Sequence, residues 1–211
     1  MGKQIVTISR EFGSGGRSVG KRVAELLDVP YFDKELVKQV AVETGFDEDF
    51  IEHEGEYASP WQSLLSYSVP GVGAGGRQPM GRMSTADFLW AIQCKVILSL
   101  AEKGPCVIVG RCADYILRER EDVLNVFIHA PIPYRAERIV RLYGESDAAP
   151  EKRLEKKDKR RRAYYKHYTD REWGRSQNYH LSLDSSLVGV ERCAKLILDV
   201  ARDPGGTGQE R

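Results

Sequence analysis

Residues 4–27 decide the fold: Gln4-Ile5-Val6-Thr7-Ile8-Ser9, then Arg10-Glu11-Phe12-Gly13-Ser14-Gly15-Gly16-Arg17-Ser18, then Val19-Gly20-Lys21-Arg22-Val23-Ala24-Glu25-Leu26-Leu27. An apolar strand runs into a glycine-rich loop, and the loop runs into a helix with Val19, Val23, Leu26 and Leu27 on one face. That order builds a phosphate cradle. Glycines let backbone N–H groups turn toward a common centre, and the helix N-terminus adds the positive end of its dipole.

The register of the loop matters. A Walker A loop reads G-x-x-x-x-G-K-[ST]. A literal Gly15-x-x-x-x-Gly20-Lys21 is present, but Arg22 follows it and Gly20 and Lys21 fall inside the expected helix. The better register ends the loop at Gly15-Gly16-Arg17-Ser18. Ser18 then takes the hydroxyl position that ligates Mg²⁺, and Gly16 stands where the lysine would be. The missing cation falls to Arg17, or to Lys21 one turn on. The competing reading is a glycine-rich β–α turn with no ligand.

The chain has 211 residues, 41% hydrophobic and 30% charged, which suits one globular domain. A net charge of +1 gives no global basic field for nucleic acid. Cys94, Cys106, Cys112 and Cys193 form no C-x-x-C pair, so a metal site is not expected and reduced, buried thiols are. No signal peptide and no apolar run of transmembrane length is seen, so a cytoplasmic protein with no membrane partner is expected.

Beyond the opening, residues 29–33 read as a short strand or an extended link, and 34–44 as a helix. Residues 57–83, rich in Ser, Pro and Gly, read as a mobile insertion whose exposed aromatics leave a homodimer open. Ser84 is an N-cap for a helix to residue 103, with Asp87 three positions on. The runs 106–109 and 123–129 are continuous apolar strands of the kind buried in parallel sheets. Helices are expected over 133–142, 150–168 and 188–201, and a last strand over 179–183. Alternating strands and helices give an α/β, three-layer fold: a parallel sheet flanked by helices. We expect one domain over residues 1–202, with an acceptor-side insertion at 45–90, a basic lid at 145–178 and a disordered tail at 203–211.

Three further constellations carry chemistry. Val107-Ile108-Val109-Gly110-Arg111 ends a core strand with an arginine, where open α/β sheets bind ligands and where a guanidinium can grip phosphate bidentately. Lys156-Lys157-Asp158-Lys159-Arg160-Arg161-Arg162, followed by Tyr164-Tyr165, reads as a mobile segment that brings cations over a phosphoryl group. The alternatives are a solvated helical face and an RNA surface with stacking tyrosines. Asp184 and Asp33 each end a strand. Each can face an acceptor or simply cap the helix that follows.

Taken together, the residues resemble the cytidylate kinase-like family of P-loop nucleoside monophosphate kinases, over nearly the whole chain. Ile8 to Arg17 (I-S-R-E-F-G-S-G-G-R) carries the resemblance most specifically, and Tyr31-Phe32-Asp33, Gly110-Arg111-Cys112 and Leu183-Asp184-Ser185-Ser186 are similar to further family turns. The resemblance implies ATP- and Mg²⁺-dependent transfer to a small-molecule nucleotide, CMP-like, or a related phosphorylated acceptor, with no nucleic-acid partner. It assigns Gly13, Ser14, Gly15, Gly16 and Arg17 to the donor phosphates, and Ser18 to the metal. Arg111 goes to the acceptor phosphate, with Asp33 and Asp184 near it. Lys159, Arg161 and Arg162, with Arg17, are the cations of transfer. The chain departs from true cytidylate kinases at Gly16 (their lysine), at Cys112 (their aspartate), and at Lys34 and Gln39 (their acceptor-side hydroxyl and arginine). A second reading is therefore a degenerate, regulatory nucleotide-binding protein without fast transfer.

Overall fold

The computed structural model describes residues 4–45, 47–48 and 84–203. The expected insertion segment at 57–83 and nearly all of the tail at 203–211 lie outside the described residues.

Five strands form one parallel sheet in the order β2-β3-β1-β4-β5: β1 (Ile5–Arg10), β2 (Tyr31–Phe32), β3 (Cys106–Val109), β4 (Val123–His129) and β5 (Leu181–Asp184). Central β1 pairs on one side with β3, Ile5 against Cys106, and on the other with β4, Ile5 against Val123. All six β1 residues are buried, because both faces of the strand are covered.

Strand alternation divides the core in two. Ile5, Cys106, Ile108 and Val123 pack on one face against α2 (Lys34–Thr44) and α3 (Thr85–Lys103), through Leu36, Val40, Ile97 and Leu100. Val6, Ile8, Val107, Val109 and Val126 pack on the other against α1 (Gly16–Leu27) and the last helix. The remaining α-helices among the described residues are α4 (Ala113–Ile116), α5 (Ile132–Tyr143), α6 (Pro150–Thr169), α7 (Ser185–Val188) and α8 (Val190–Arg202), which supplies Cys193, Ala194 and Ile197 to the second core. This is the three-layer α/β fold expected from the alternation of strands and helices.

Local chemistry sets the boundaries. Ser84 caps α3: its hydroxyl accepts from Asp87 N–H at 3.1 Å and donates to the Asp87 carboxylate at 2.8 Å. Gly20 sits in the second turn of α1, where a Cβ would come within 2.9 Å of Val109 Cγ2 and 3.2 Å of Ile8 Cδ1. It is there to let α1 lie close on the sheet, so the literal Gly20-Lys21 register is a packing feature. The four cysteines are free thiols, three of them buried, and burial pushes Cys106 up to about 11.

Candidate functional site

The carboxyl end of β1 turns sharply into α1. Gly13 and Gly15 hold left-handed conformations, φ 81° and 85°, which an L side chain rarely adopts. At Gly13 a Cβ would also meet Ile139 Cγ2 at 2.9 Å and the Arg135 carbonyl at 3.0 Å. The first turn of α1 directs its amides and dipole toward the resulting cleft. The cleft is about 460 Å³, and its lining includes Gly13, Gly15, Gly16, Arg17, Arg138 and Arg161. A glycine cradle rimmed by guanidinium groups has the chemistry to hold a polyanion.

A second pocket adjoins it at the end of β3, lined by Ser9, Arg10, Gly110, Arg111, Cys112 and Arg161 among others. Gly110, Arg111 and Cys112 carry φ of 75°, 59° and 55° in succession. Two consecutive left-handed non-glycine residues are costly and persist where the surroundings over-determine them, a pattern concentrated at functional sites. Gln93 of α3 helps: its Nε2 donates to the Arg111 carbonyl at 3.1 Å and to Tyr164 Oη at 3.3 Å. Arg111 is 5% exposed. Arg10 and Arg161 line both pockets and form the wall they share.

Helix α6 is bound to the loop by its only acid within the 156–162 basic run. Asp158 is buried; it accepts from Phe12 N–H at 2.8 Å and from Arg135 Nη1 at 2.6 Å. One turn on, Arg161 donates to the Arg10 carbonyl at 3.1 Å. Lys157 Nζ lies 4.6 Å from the centre of the Phe12 ring. Tyr164 and Tyr165 are buried against Cys112, so neither offers the stacking face that an RNA surface needs.

The structure brings some expected residues together and places others elsewhere. Gly13, Gly15, Gly16, Arg17 and Arg161 surround the first cleft, and Arg111 lies in the second pocket. Ser14 faces inward: it is fully buried, its hydroxyl donating to the carbonyls of Glu11 at 2.9 Å and Ile128 at 3.0 Å, so it fixes the loop. Ser18 lies exposed on α1, its hydroxyl accepting from Arg138 Nη2 at 3.0 Å. Asp33 lines neither pocket and lies 2.8 Å from Arg17 Nε and 3.8 Å from Arg10 Nη2, where it orients both cations. Asp184 caps α7, accepting from Ser186 N–H at 2.9 Å; the Ser186 hydroxyl bonded to it holds its pKa below the usual range. The residue of that turn that reaches the cradle is Ser185, whose hydroxyl donates to the Ser14 carbonyl. Lys159 is exposed and lines neither pocket. Arg162 lines a third, near Trp173 and His129. Sequence reasoning passed over Arg10, Arg138 and Asp158. Asp158 carried a signal, as a lone acid three positions before Arg161 in a basic run.

Among the described residues, no group of three or more His, Cys, Asp or Glu side chains could hold a metal by itself. No helix described is long and apolar enough to cross a membrane.

Comparison with known proteins places this geometry. No curated protein sequence matches the chain. Among solved structures, an uncharacterized protein from Eubacterium ventriosum ATCC 27560 is 25% identical, with a TM-score of 0.68 over 93% of this chain and 97% of that one. Shikimate kinase from Acinetobacter baumannii, in complex with shikimate, is 16% identical at TM-score 0.53, covering 93% and 92%. A gluconokinase from Sinorhizobium meliloti 1021 is 16% identical at TM-score 0.52, covering 96% and 95%. The last two share the P-loop kinase fold. The model of the cytidylate kinase-like family matches residues 5–187, from β1 through α7, taking in both pockets and the helix that joins them, and so the chain belongs to the cytidylate kinase-like family.

Proposed function

We propose that this protein is an ATP- and Mg²⁺-dependent phosphotransferase acting on a nucleoside monophosphate, CMP-like, or on a related small phosphorylated acceptor. The observation that carries this reading is the shared wall: a glycine cradle and an Arg111 pocket meet at Arg10 and Arg161. A donor phosphate chain in the cradle and an acceptor phosphate at Arg111 would face each other across those cations. The γ-phosphorus would lose its bond to the ADP oxygen, which leaves with the electron pair. It would gain a bond from an acceptor phosphate oxygen, which supplies its own pair and, as a dianion, releases no proton. The guanidinium groups stabilise charge spread over the oxygens of the moving group.

The residues suit a magnesium ion carried mainly by nucleotide phosphates and water, as Mg²⁺ usually is, with the Ser18 hydroxyl as protein ligand once Arg138 yields it. Bound there, the ion would neutralise phosphate charge. We read α6 as the lid: Asp158 binds it to the loop, and opening would break the contacts to Phe12 and Arg135.

Gly16, in place of the lysine, favours the second reading, a regulatory nucleotide-binding protein without fast transfer. A transfer screen separates the two: ATP–Mg²⁺ against nucleoside monophosphates and small phosphorylated metabolites, with Arg111→Ala alongside. Transfer to one acceptor, lost in the variant, is the expected result. Nucleotide binding with no transfer to any acceptor would establish the regulatory reading.

A further inference from the structure

We propose that Arg10 is the catalytic cation of this site, replacing the lysine its glycine loop lacks, and that Gly16 is a glycine because Arg10 crosses over it. The inference rests on the phosphotransferase reading above and deepens it.

Gly13 and Gly15 are required by left-handed backbone, but Gly16 is the first residue of α1 and has no positive φ. Its conformation would accept any L residue, and a glycine in a helix is destabilising relative to alanine. What excludes a side chain is Arg10: a Cβ at Gly16 would collide with Arg10 Cβ and come within 2.8 Å of Cγ. Both atoms lie near the stem of the arginine, where the side chain cannot simply swing away. Because the nearest atom is Cβ, a side chain at 16 and any non-glycine residue at 10 exclude each other in this backbone, so a chain that carries Arg10 cannot also carry the lysine.

Arg10 is placed where the two pockets meet. It ends β1, in register with Ile128, and is 4% exposed. It lines the glycine cradle and the Arg111 pocket alike, so it borders the path between donor and acceptor. Asp33 Oδ1 lies 3.8 Å from its Nη2, and Arg161 donates to its carbonyl. The cations favoured from sequence are less well placed. Arg17 is 39% exposed and bound to Asp33 through Nε at 2.8 Å. Lys21 is exposed and lines neither pocket. A planar guanidinium can also engage two phosphate oxygens at once, which an ammonium does not do in the same fixed geometry.

The test is calorimetric binding of ATP–Mg²⁺, a non-hydrolysable ATP analogue and ADP to the full chain, with melting temperature recorded for each variant. A cation on the terminal phosphate makes charge-assisted hydrogen bonds, so Arg10→Ala should weaken the ATP analogue about ten- to a hundredfold and ADP much less. Gly16→Lys alone should lose binding or stability through the clash. The exchange Arg10→Gly with Gly16→Lys should recover preference for the triphosphate over ADP. A purely structural Arg10 would lower the melting temperature and leave that preference intact. The proposal is overturned if Arg10→Ala keeps the wild-type preference, if the exchanged pair recovers none of it, or if Gly16→Lys changes neither binding nor melting. If the wild type binds no nucleotide at all, the phosphotransferase reading fails first and takes this assignment with it.

Discussion

Asp158 illustrates how much one side chain can decide. It is 1% exposed within a basic run, and its two oxygens hold the Phe12 amide and the Arg135 guanidinium. Replacing it by alanine removes a buried counter-charge from Arg161 and from Arg135, which keeps Glu11 3.4 Å from its Nε, and breaking a buried pair in this way costs about 3–5 kcal/mol. Asp158→Ala should therefore lower the urea-unfolding free energy by that order, with Asp158→Asn milder because it still accepts from Phe12. An unchanged midpoint for Asp158→Ala would refute the anchor. Asp114, at the start of α4, behaves differently. Burial raises its pKa, opposed in part by the Tyr165 hydroxyl, which donates to it at 2.7 Å. The folded protein thus holds this proton more tightly than the unfolded chain, whose carboxyl titrates near the ordinary value of about 3.9. Its contribution to stability is complete below that pH and is lost as pH rises through the raised folded value. Asp114→Asn keeps an acceptor for Tyr165 and removes the titration. As pH rises above the ordinary carboxylate value of about 4, the wild type should lose stability relative to this variant; parallel curves would place the proton elsewhere.

At the scale of elements, α1 and α6 solve opposite problems. Helix α1 must lie close enough to the sheet to aim its first turn at the cleft, and Gly20 against Val109 and Ile8 permits that approach. Helix propensity alone favours alanine at such a position by roughly 0.5–1 kcal/mol. Packing predicts the reverse: Gly20→Ala should destabilise by about 1–3 kcal/mol, as overpacking does. The sign of the change in thermal unfolding distinguishes the two, and a stabilised Gly20→Ala would show the approach to be loose. Helix α6 has the reverse task, carrying cations into the interior. Leu154, Asp158, Arg161 and Tyr165 follow one another along a single face that is buried although half of it is polar. The polar groups of that face bond to Phe12 and Arg10 at the loop, to Arg135 of α5 and to Asp114 of α4, so the helix ties the loop to its neighbours.

For the whole molecule, the two pockets should respond to ligands separately. Nucleotide that binds only the folded state stabilises it by about 2.7 kcal/mol at a hundred times Kd, or roughly 5–10 °C in Tm for a chain of this size. Arg17→Ala should shrink that shift for ATP–Mg²⁺, while Arg111→Ala should leave it and weaken the acceptor. Equal loss of the ATP shift in both variants would merge the two subsites into one.

Much of this architecture was legible before any coordinates. Apolar runs bounded by turn residues located 106–109 and 123–129, and the α2 boundaries at 34 and 44 match the expected ones, because burial on both sheet faces and helix periodicity leave strong local signals. The glycine cradle and the Arg111 turn were legible too, since left-handed backbone demands glycine and a strand end announces itself. What no local signal contains is which side chain occupies a given volume. The sequence alone determined that a cation was missing at position 16; it pointed to Arg17 and Lys21, the neighbours in the chain. Only the tertiary structure placed Arg10 across Gly16, turned Ser14 inward, set Asp184 to capping α7 and buried Asp158 under the loop. The reason is physical: steric exclusion, ion pairing and hydrogen bonding act between atoms brought together by the sheet, across sequence separations such as the 146 positions between Phe12 and Asp158.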